Sequence, residues 1–418
     1  FMHSSIRRLS VYMEQLNVNV DCVIRPVEKK AYYSASSAQQ RIYTLTNLDL
    51  NGITYNIPSI MEIKGDLNIV KLERALQGLI YRHEVLRTSF VTRDGEILQK
   101  VHDEVPFNIE IIPKDIDDQY EKTDFIRPFD LSKAPLMRVG LTELEQNRYV
   151  FMLDIHHIIA DGVSIGIFMK ELMELYYENE LPTLELQYKD YAEWQQEFIQ
   201  SEAIQMQKEY WTNRFKDGVP VVELPTDYMR PSIQSFEGDS VFFEIDVSLT
   251  KRLKQICQDN GVTLYMALMS IYQIWLSKHT GQEDVMVGTV TAGRHNTDLY
   301  QVMGMFVNTL ALRGNPKGGK TFGQFLQETK ENTVEAFESQ DYQFEELIEE
   351  LEMPRETSRN PLFDTMFVLE NIDISEFNTG NLTIMPHKTN YAFAKFDMTL
   401  LAEENINQIS FRWEYATK

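Results

Sequence analysis

Two adjacent histidines, His156 and His157, precede Asp161 and Gly162 in the run HHIIADGVS. An imidazole titrates near pH ~6.5, so one held in a fixed geometry suits proton transfer near neutrality. In an extended or turning backbone, neighbouring side chains point in different directions, so one histidine of the pair faces a cleft and the other serves the structure. Gly162 lets the chain turn tightly beside Asp161, and Ser164 is placed to cap a helix starting at Ile165. Residue types alone leave a rival open: two histidines making ordinary hydrogen bonds at a strand end. A zinc site would need further ligands, and the other histidines show no metal spacing. Neither Ser164 nor any other serine lies in Gly-x-Ser-x-Gly, which weakens a serine hydrolase.

The elements that must position these residues can be read on either side. Tyr149 to Ile155 is an apolar, strand-like run and Ile165 to Tyr177 has helical periodicity, so the histidines occupy a polar loop between two rigid elements. Upstream, Ser36 or Ser37 fronts a helix, Ile60 to Lys64 reads as a strand and Ile69 to Arg82 as a helix. Val85 to Val91 and Ile97 to Val101 form a hairpin about Asp94-Gly95. Downstream, one helix spans Tyr191 to Tyr210, followed by a stretch holding Pro220, Pro225 and Pro231. Leu249 to Asn260, Leu264 to Ser277 and Phe322 to Phe337 read as helices, and Asp284 to Val290 as a strand. Strands and helices mix alike in both halves, which predicts an α/β protein of two related lobes.

Length and composition agree. A chain of 418 residues is long enough for two cores, and 43% hydrophobic residues is ordinary for a folded protein. Forty basic against 63 acidic residues give a formal charge of -23, which disfavours nucleic acid and anionic membrane surfaces. Cys22 and Cys257 lack metal-ligand spacing and imply a reducing, cytoplasmic setting. The apolar runs are broken long before the ~20 residues of a membrane span. The chain begins at Phe1, which reads as an excised fragment.

The run HHIIADGVS resembles the active-site motif of nonribosomal peptide synthetase condensation domains, relatives of chloramphenicol acetyltransferase. An ordered series accompanies it: SSAQQRIYTL from Ser36, RHEVLRTSF from Arg82, YKDYAEWQ from Tyr188, MGMFVNTLALR from Met303, SQDYQFEELI from Ser339 and RETSRNPLFDTMFVLEN from Arg355. The resemblance covers roughly residues 34–414 and implies two chloramphenicol acetyltransferase-like lobes in a V-shaped pseudo-dimer with a central tunnel. By that likeness residues 1–33 are an upstream carrier remnant and linker, 34–209 the N-terminal lobe, and 210–418 a C-terminal lobe truncated at its end. Residues 291–303 and 371–396 are expected to bridge the lobes.

For single residues, the resemblance implies that His157 faces the tunnel and helps an acceptor amine attack a donor thioester, either as general base or by orienting the amine. His156 and Asp161 are scaffold residues of the same motif, and Gly162 keeps space for the substrate arm. Arg294 and Arg41 are both candidates to pair with Asp161. Asn308 is expected either at the tunnel side, contacting the acyl or pantetheine part, or satisfying backbone groups. Tyr191 and Trp194 are packing and helix-surface residues, and Phe344, Arg359, Asn360 and Pro361 support the second lobe and its crossover. No metal and no intrinsic cofactor are implied, because substrates arrive on phosphopantetheine arms of upstream donor and downstream acceptor carrier domains, with an adenylation domain adjacent. The excised piece is expected to be a monomer. The implied reaction is peptide-bond formation, and MGMFVNTLALR and HHIIADGVS resemble the subtype that takes an L-configured donor, while Ile165 stands where epimerisation domains usually place Trp. Epimerisation and a noncatalytic carrier-docking role are the alternatives.

Overall fold

The computed structural model describes residues 23–48, 52–113, 125–294, 296–353, 356–370, 377–387, 394–405 and 408–418. Most of the carrier remnant expected over residues 1–33 lies outside them, as do Cys22 and part of the expected bridge at 371–396. In chain order the first elements are β1 (Tyr33–Ser34), α1 (Ser37–Leu48), β2 (Asn56–Gly65), α2 (Ile69–Arg82), β3 (Thr88–Arg93), β4 (Glu96–Val101), β5 (Glu110–Ile111), β6 (Met137–Glu145), β7 (Arg148–His156), α3 (Gly162–Tyr176), α4 (Tyr188–Phe198) and α5 (Glu202–Phe215). There follow β8 (Gly238–Ile245), α6 (Val247–Asn260), α7 (Leu264–Thr280), β9 (Val285–Thr291), β10 (Asn308–Gly314), α8 (Phe322–Glu338), α9 (Phe344–Glu350), β11 (Thr365–Glu370), β12 (Phe377–Thr379), β13 (Leu382–Pro386), β14 (Met398–Glu404) and β15 (Ile409–Ala416).

These form two α/β lobes, each built on a six-stranded sheet. The first runs β12-β13-β2-β7-β6-β5 and the second β10-β9-β11-β14-β15-β8, and a small sheet β1-β4-β3 flanks the first. Strand β7 is central, antiparallel to β2 on one side and β6 on the other, so nearly every residue in it is buried and it has no polar face. Helix α2 starts where Asn68 Oδ1 accepts the Lys71 N–H and stops where His83 turns extended; between these points Leu72, Ala75, Leu76, Leu79 and Ile80 face the core. Gly78 lets α3 approach closely, since a methyl there would lie 3.3 Å from Leu175. In the second lobe α7 opens on Thr263, whose side chain accepts the Met266 N–H, and closes on Gly281 in the left-handed region.

Several boundaries differ from the sequence reading. Val85 to Arg87 belong to a 3-10 turn, Glu84–Arg87, so the hairpin strand starts at Thr88. The single helix read over Tyr191 to Tyr210 is two helices, because Ser201 accepts the Ile204 N–H and starts α5 afresh. Helix α3 begins at Gly162 rather than Ile165, and its cap is Asp161, not Ser164.

The two halves of the chain are interleaved. Leu299, Val302, Met303, Met305 and Phe306 are buried in the core of the first lobe. Full burial of each such side chain contributes about 1.5–3 kcal/mol, so the segment is docked firmly. Strands β12 and β13 likewise complete the first sheet, with Leu382 to Pro386 in register with Gly65 to Met61 of β2.

Candidate active site

The β2–β7 ladder ends where Asn56 pairs with His156. One residue further, the His157 N–H donates to Tyr55 O at 2.7 Å, and the chain turns through residues 157–160 into α3. The two histidines then part company. His156 is 2% exposed; its Nδ1 accepts the Ile158 N–H at 3.2 Å, and its ring meets Phe129 edge-on at 5.9 Å. Burial pushes its pKa down to about 3, so it is a neutral packing group. Arg138 lies over the Phe129 ring at 3.7 Å and pairs with the buried Asp154 at 3.2 Å, fixing the wall behind His156. Burial raises Asp154 to about 6, with Arg138 opposing.

His157 is only half-buried. Its Nδ1 lies 2.8 Å from Ala160 O, a carbonyl that can only accept, so Nδ1 carries the proton and Nε2 keeps its lone pair. Desolvation pushes the imidazole down to about 4, the nearby Lys395 ammonium adds to that, and the Asp161 carboxylate opposes it. The ring is therefore neutral over the whole physiological range, rather than titrating near 6.5 as an isolated histidine would.

Asp161 faces inward, fully buried, and holds together three parts of the chain. Its Oδ1 accepts the Ser164 N–H at 2.8 Å. Arg294 grips it with both nitrogens, Nη1 to Oδ2 at 2.6 Å and Nη2 to Oδ1 at 3.0 Å. The Phe306 N–H reaches Oδ2 at 3.2 Å, and the guanidinium lies 4.2 Å over the Phe306 ring. Of the two arginine candidates, Arg294 is the one at Asp161. Arg41 instead pairs with Glu345 at 2.8 Å, joining α1 of the first lobe to α9 of the second. Ser164 Oγ lies 2.8 Å from Asp161 Oδ1, 3.1 Å from Arg294 Nη2 and 3.0 Å from the Gly304 N–H, so it is a joint of this clasp. Gly162 is the first residue of α3, where a backbone N–H has no acceptor within the helix.

Asn308 stands apart from this group. Its Nδ2 donates to Gln340 O and Tyr342 O at 2.8 and 2.9 Å, and its Oδ1 accepts the Thr309 and Phe344 N–H groups at 2.8 and 3.4 Å. The amide is spent on backbone, pinning the loop before α9. Sequence reasoning passes over Tyr188, which proves to be a keystone: its hydroxyl meets Ser36 Oγ at 2.7 Å and donates to Met305 O, while its ring fills the space above Gly304. A tyrosine opening a helix carries no signal for this. Tyr55 and Lys395 escape it for the same reason, being brought to His157 only by the fold.

Among the described residues no group of three or more His, Cys, Asp or Glu side chains is placed to hold a metal ion, and no helix is long and apolar enough to cross a membrane. A model of the condensation domain family matches residues 29–418. The chain is 46% identical over 419 residues to bacitracin synthase 3 of Bacillus licheniformis and 48% identical over 422 residues to gramicidin S synthase 2 of Brevibacillus brevis. Both alignments take in 100% of this chain but only 7% and 10% of those proteins. The structure superposes on a holo four-domain nonribosomal peptide synthetase bound to AMP and glycine with a TM-score of 0.84, at 24% identity, over 97% of this chain and 32% of that one.

Proposed function

The chain belongs to the condensation-domain family of nonribosomal peptide synthetases, and from that premise we propose that His157 serves peptide-bond formation between two carrier-bound acyl groups. The supporting observation is the tautomer: Nδ1–H is committed to Ala160 O, which leaves Nε2 as a neutral acceptor. The acceptor amine places an N–H on Nε2, and its lone pair attacks the carbonyl carbon of the donor thioester. As the C–N bond forms, electrons move onto the carbonyl oxygen; they return as the C–S bond breaks. The proton lost by the amine ends on the departing thiolate, by way of the imidazole, so the products are an amide on the acceptor arm and a free thiol on the donor arm.

With a conjugate acid near 4, His157 is a weak base for full deprotonation of an amine. Orientation of the lone pair and acceptance of the proton late in the reaction suit it better. A thioester is already activated, so holding the amine and excluding water supply much of the rate. The first N–H of α3, at Gly162, is aimed by the helix dipole and suits an oxygen gaining charge. Asp161 and Arg294 act through His157 by fixing the loop that carries it. The donor is an L-configured aminoacyl or peptidyl thioester, the arms belong to upstream and downstream carrier domains beside an adenylation domain, and the setting is the cytoplasm, where the cysteines remain reduced.

The test supplies donor and acceptor aminoacyl groups on separate carrier domains and follows the dipeptidyl thioester by intact-protein mass spectrometry. Product that collapses in folded H157A is the expected result. Equal product from both proteins would overturn the role of His157, and a D-configured donor used as well as its L form would overturn the stereochemical assignment.

A further inference from the structure

Lys395 belongs to none of the motifs and lies in the segment entering β14. Its backbone is held on both sides. The Ala394 N–H donates to Phe236 O at 3.0 Å, Gln234 Nε2 donates to Lys395 O at 2.9 Å, and Arg230 pairs with Asp397. The Gln234 N–H donates in turn to Thr357 O at 2.8 Å, so residues 230–237 form a strap that fixes where Lys395 emerges. From there its Nζ reaches over the Tyr55 ring, 5.8 Å from the centroid. Tyr55 is the residue whose carbonyl accepts the His157 N–H, so the ammonium stands above the same hinge that holds the imidazole.

The charges around it are matched except for this one. Arg294 has Asp161, Arg41 has Glu345 and Arg230 has Asp397. Among the described residues no carboxylate lies within ion-pairing distance of Lys395. An unpaired cation above the hinge of a reactive imidazole is arranged to meet charge that arrives or develops there.

We propose that Lys395 is a positioning residue of this site: its unpaired ammonium, held over Tyr55, biases His157 against the imidazolium that burial already disfavours and offsets the negative charge that gathers on the acyl oxygen during attack. The second part of this inference rests on the condensation reading; the first does not. Burial acts most strongly on His157, and the charged groups acting on it are Lys395 from the segment before β14 and Asp161 from the cap of α3. Lys395 disfavours the imidazolium and Asp161 favours it. Farther out, burial raises Tyr55, with Arg41 opposing and Glu345 adding to it, and desolvation by the surrounding protein lowers Lys395 itself, with Arg41 adding to that and Glu414 opposing it. Loss of the Lys395 charge therefore leaves Asp161 less opposed and moves the His157 titration to higher pH.

The experiment titrates His157 by NMR in ring-labelled wild type, K395M and K395R, with H157A assigning the resonance, and measures single-turnover amide formation in parallel. In K395M the His157 midpoint is expected to rise by about half a unit or more, and the single-turnover rate to fall about tenfold, equivalent to ~1.4 kcal/mol. K395R is expected to restore both. A His157 midpoint unchanged in folded K395M overturns the proposal whatever the rate does, and so does a shifted midpoint with an unchanged rate. K395Q replaces K395M should the latter fail to fold. If wild type forms no amide with any substrate pair, the condensation reading fails, while the titration still decides the electrostatic role.

Discussion

Removal of Arg294 should loosen the whole site, and the size of the effect follows from burial. Asp161 is 0% and Arg294 7% exposed, and two direct N–H to oxygen contacts join them. In R294M the carboxylate keeps the Ser164 and Phe306 N–H groups but loses its counter-charge in a site closed to water. Removing one partner of a buried pair costs about 3–5 kcal/mol, because the remaining charge is left uncompensated. In the double variant D161N/R294M no charge remains, and the loss should shrink to about 1–2 kcal/mol, the hydrogen bonds to Ala292 O and Val302 O being gone as well. Urea unfolding followed by circular dichroism on the two single variants and the double one gives the coupling energy, expected to exceed about 2 kcal/mol. The first transition alone should be compared, because two lobes need not unfold together. Strict additivity, or a cost below ~1 kcal/mol for R294M, would refute the view that this pair clasps residues 294–306 to the cap of α3. Amide formation by the folded fraction of R294M should fall as well, since the loop bearing His157 ends at that cap.

Because His157 is held near 4 rather than 6.5, its neutral form persists on acidification, and condensation measured from pH 7.5 to 5.5, once corrected for protonation of the acceptor amine, should not show the further roughly tenfold fall that an unperturbed imidazole would impose. For stability the sign is set by His156: its folded pKa, about 3, lies below that of the unfolded chain, so its contribution is complete above about 6.5 and declines as pH falls toward 3. The stability gap between wild type and H156N, measured by urea midpoints, should therefore narrow on acidification, and a constant gap would contradict neutral burial. Y188F removes the hydroxyl between Ser36 and Met305 and should cost about 1–2 kcal/mol in urea unfolding. G304A should cost more, since its methyl would lie 1.8 Å from the Tyr188 ring. N308A should lower stability by about 2–3 kcal/mol while the folded enzyme retains most of its single-turnover rate, because that amide serves backbone.

Elements with strong periodicity are legible in the amino-acid sequence alone. The helix read over Ile69 to Arg82 has those bounds, since its apolar face and its capping Asn68 are both local signals. Boundaries set by a single capping hydrogen bond are not: Asp161 and Ser164 are both good caps, and only the geometry shows that Asp161 takes the role while Ser164 Oγ turns toward Gly304. The break at Ser201 is of the same kind. Within the site, the motif marks His157 and Asp161, but a partner 133 residues away could be nominated and not chosen, since Arg41 and Arg294 carry the same charge and only distance separates them. Tyr188, Tyr55 and Lys395 carry no local signature, because their roles exist only once remote segments meet.

The interleaving of the lobes bears on how the protein comes into being. When residue 216 leaves the ribosome, β2 still lacks its outer neighbour, and the core lacks the five side chains between Leu299 and Phe306. Both arrive from distant sequence, with Leu382 pairing to Gly65. Contacts of such separation are slow to form, and at ~5–20 residues per second an open edge would wait many seconds for its partner. The first lobe is therefore a poor autonomous unit, and a chimera joined between residues 216 and 238 inherits β12, β13 and the Arg294 clasp from a different parent than the sheet and histidine loop they complete.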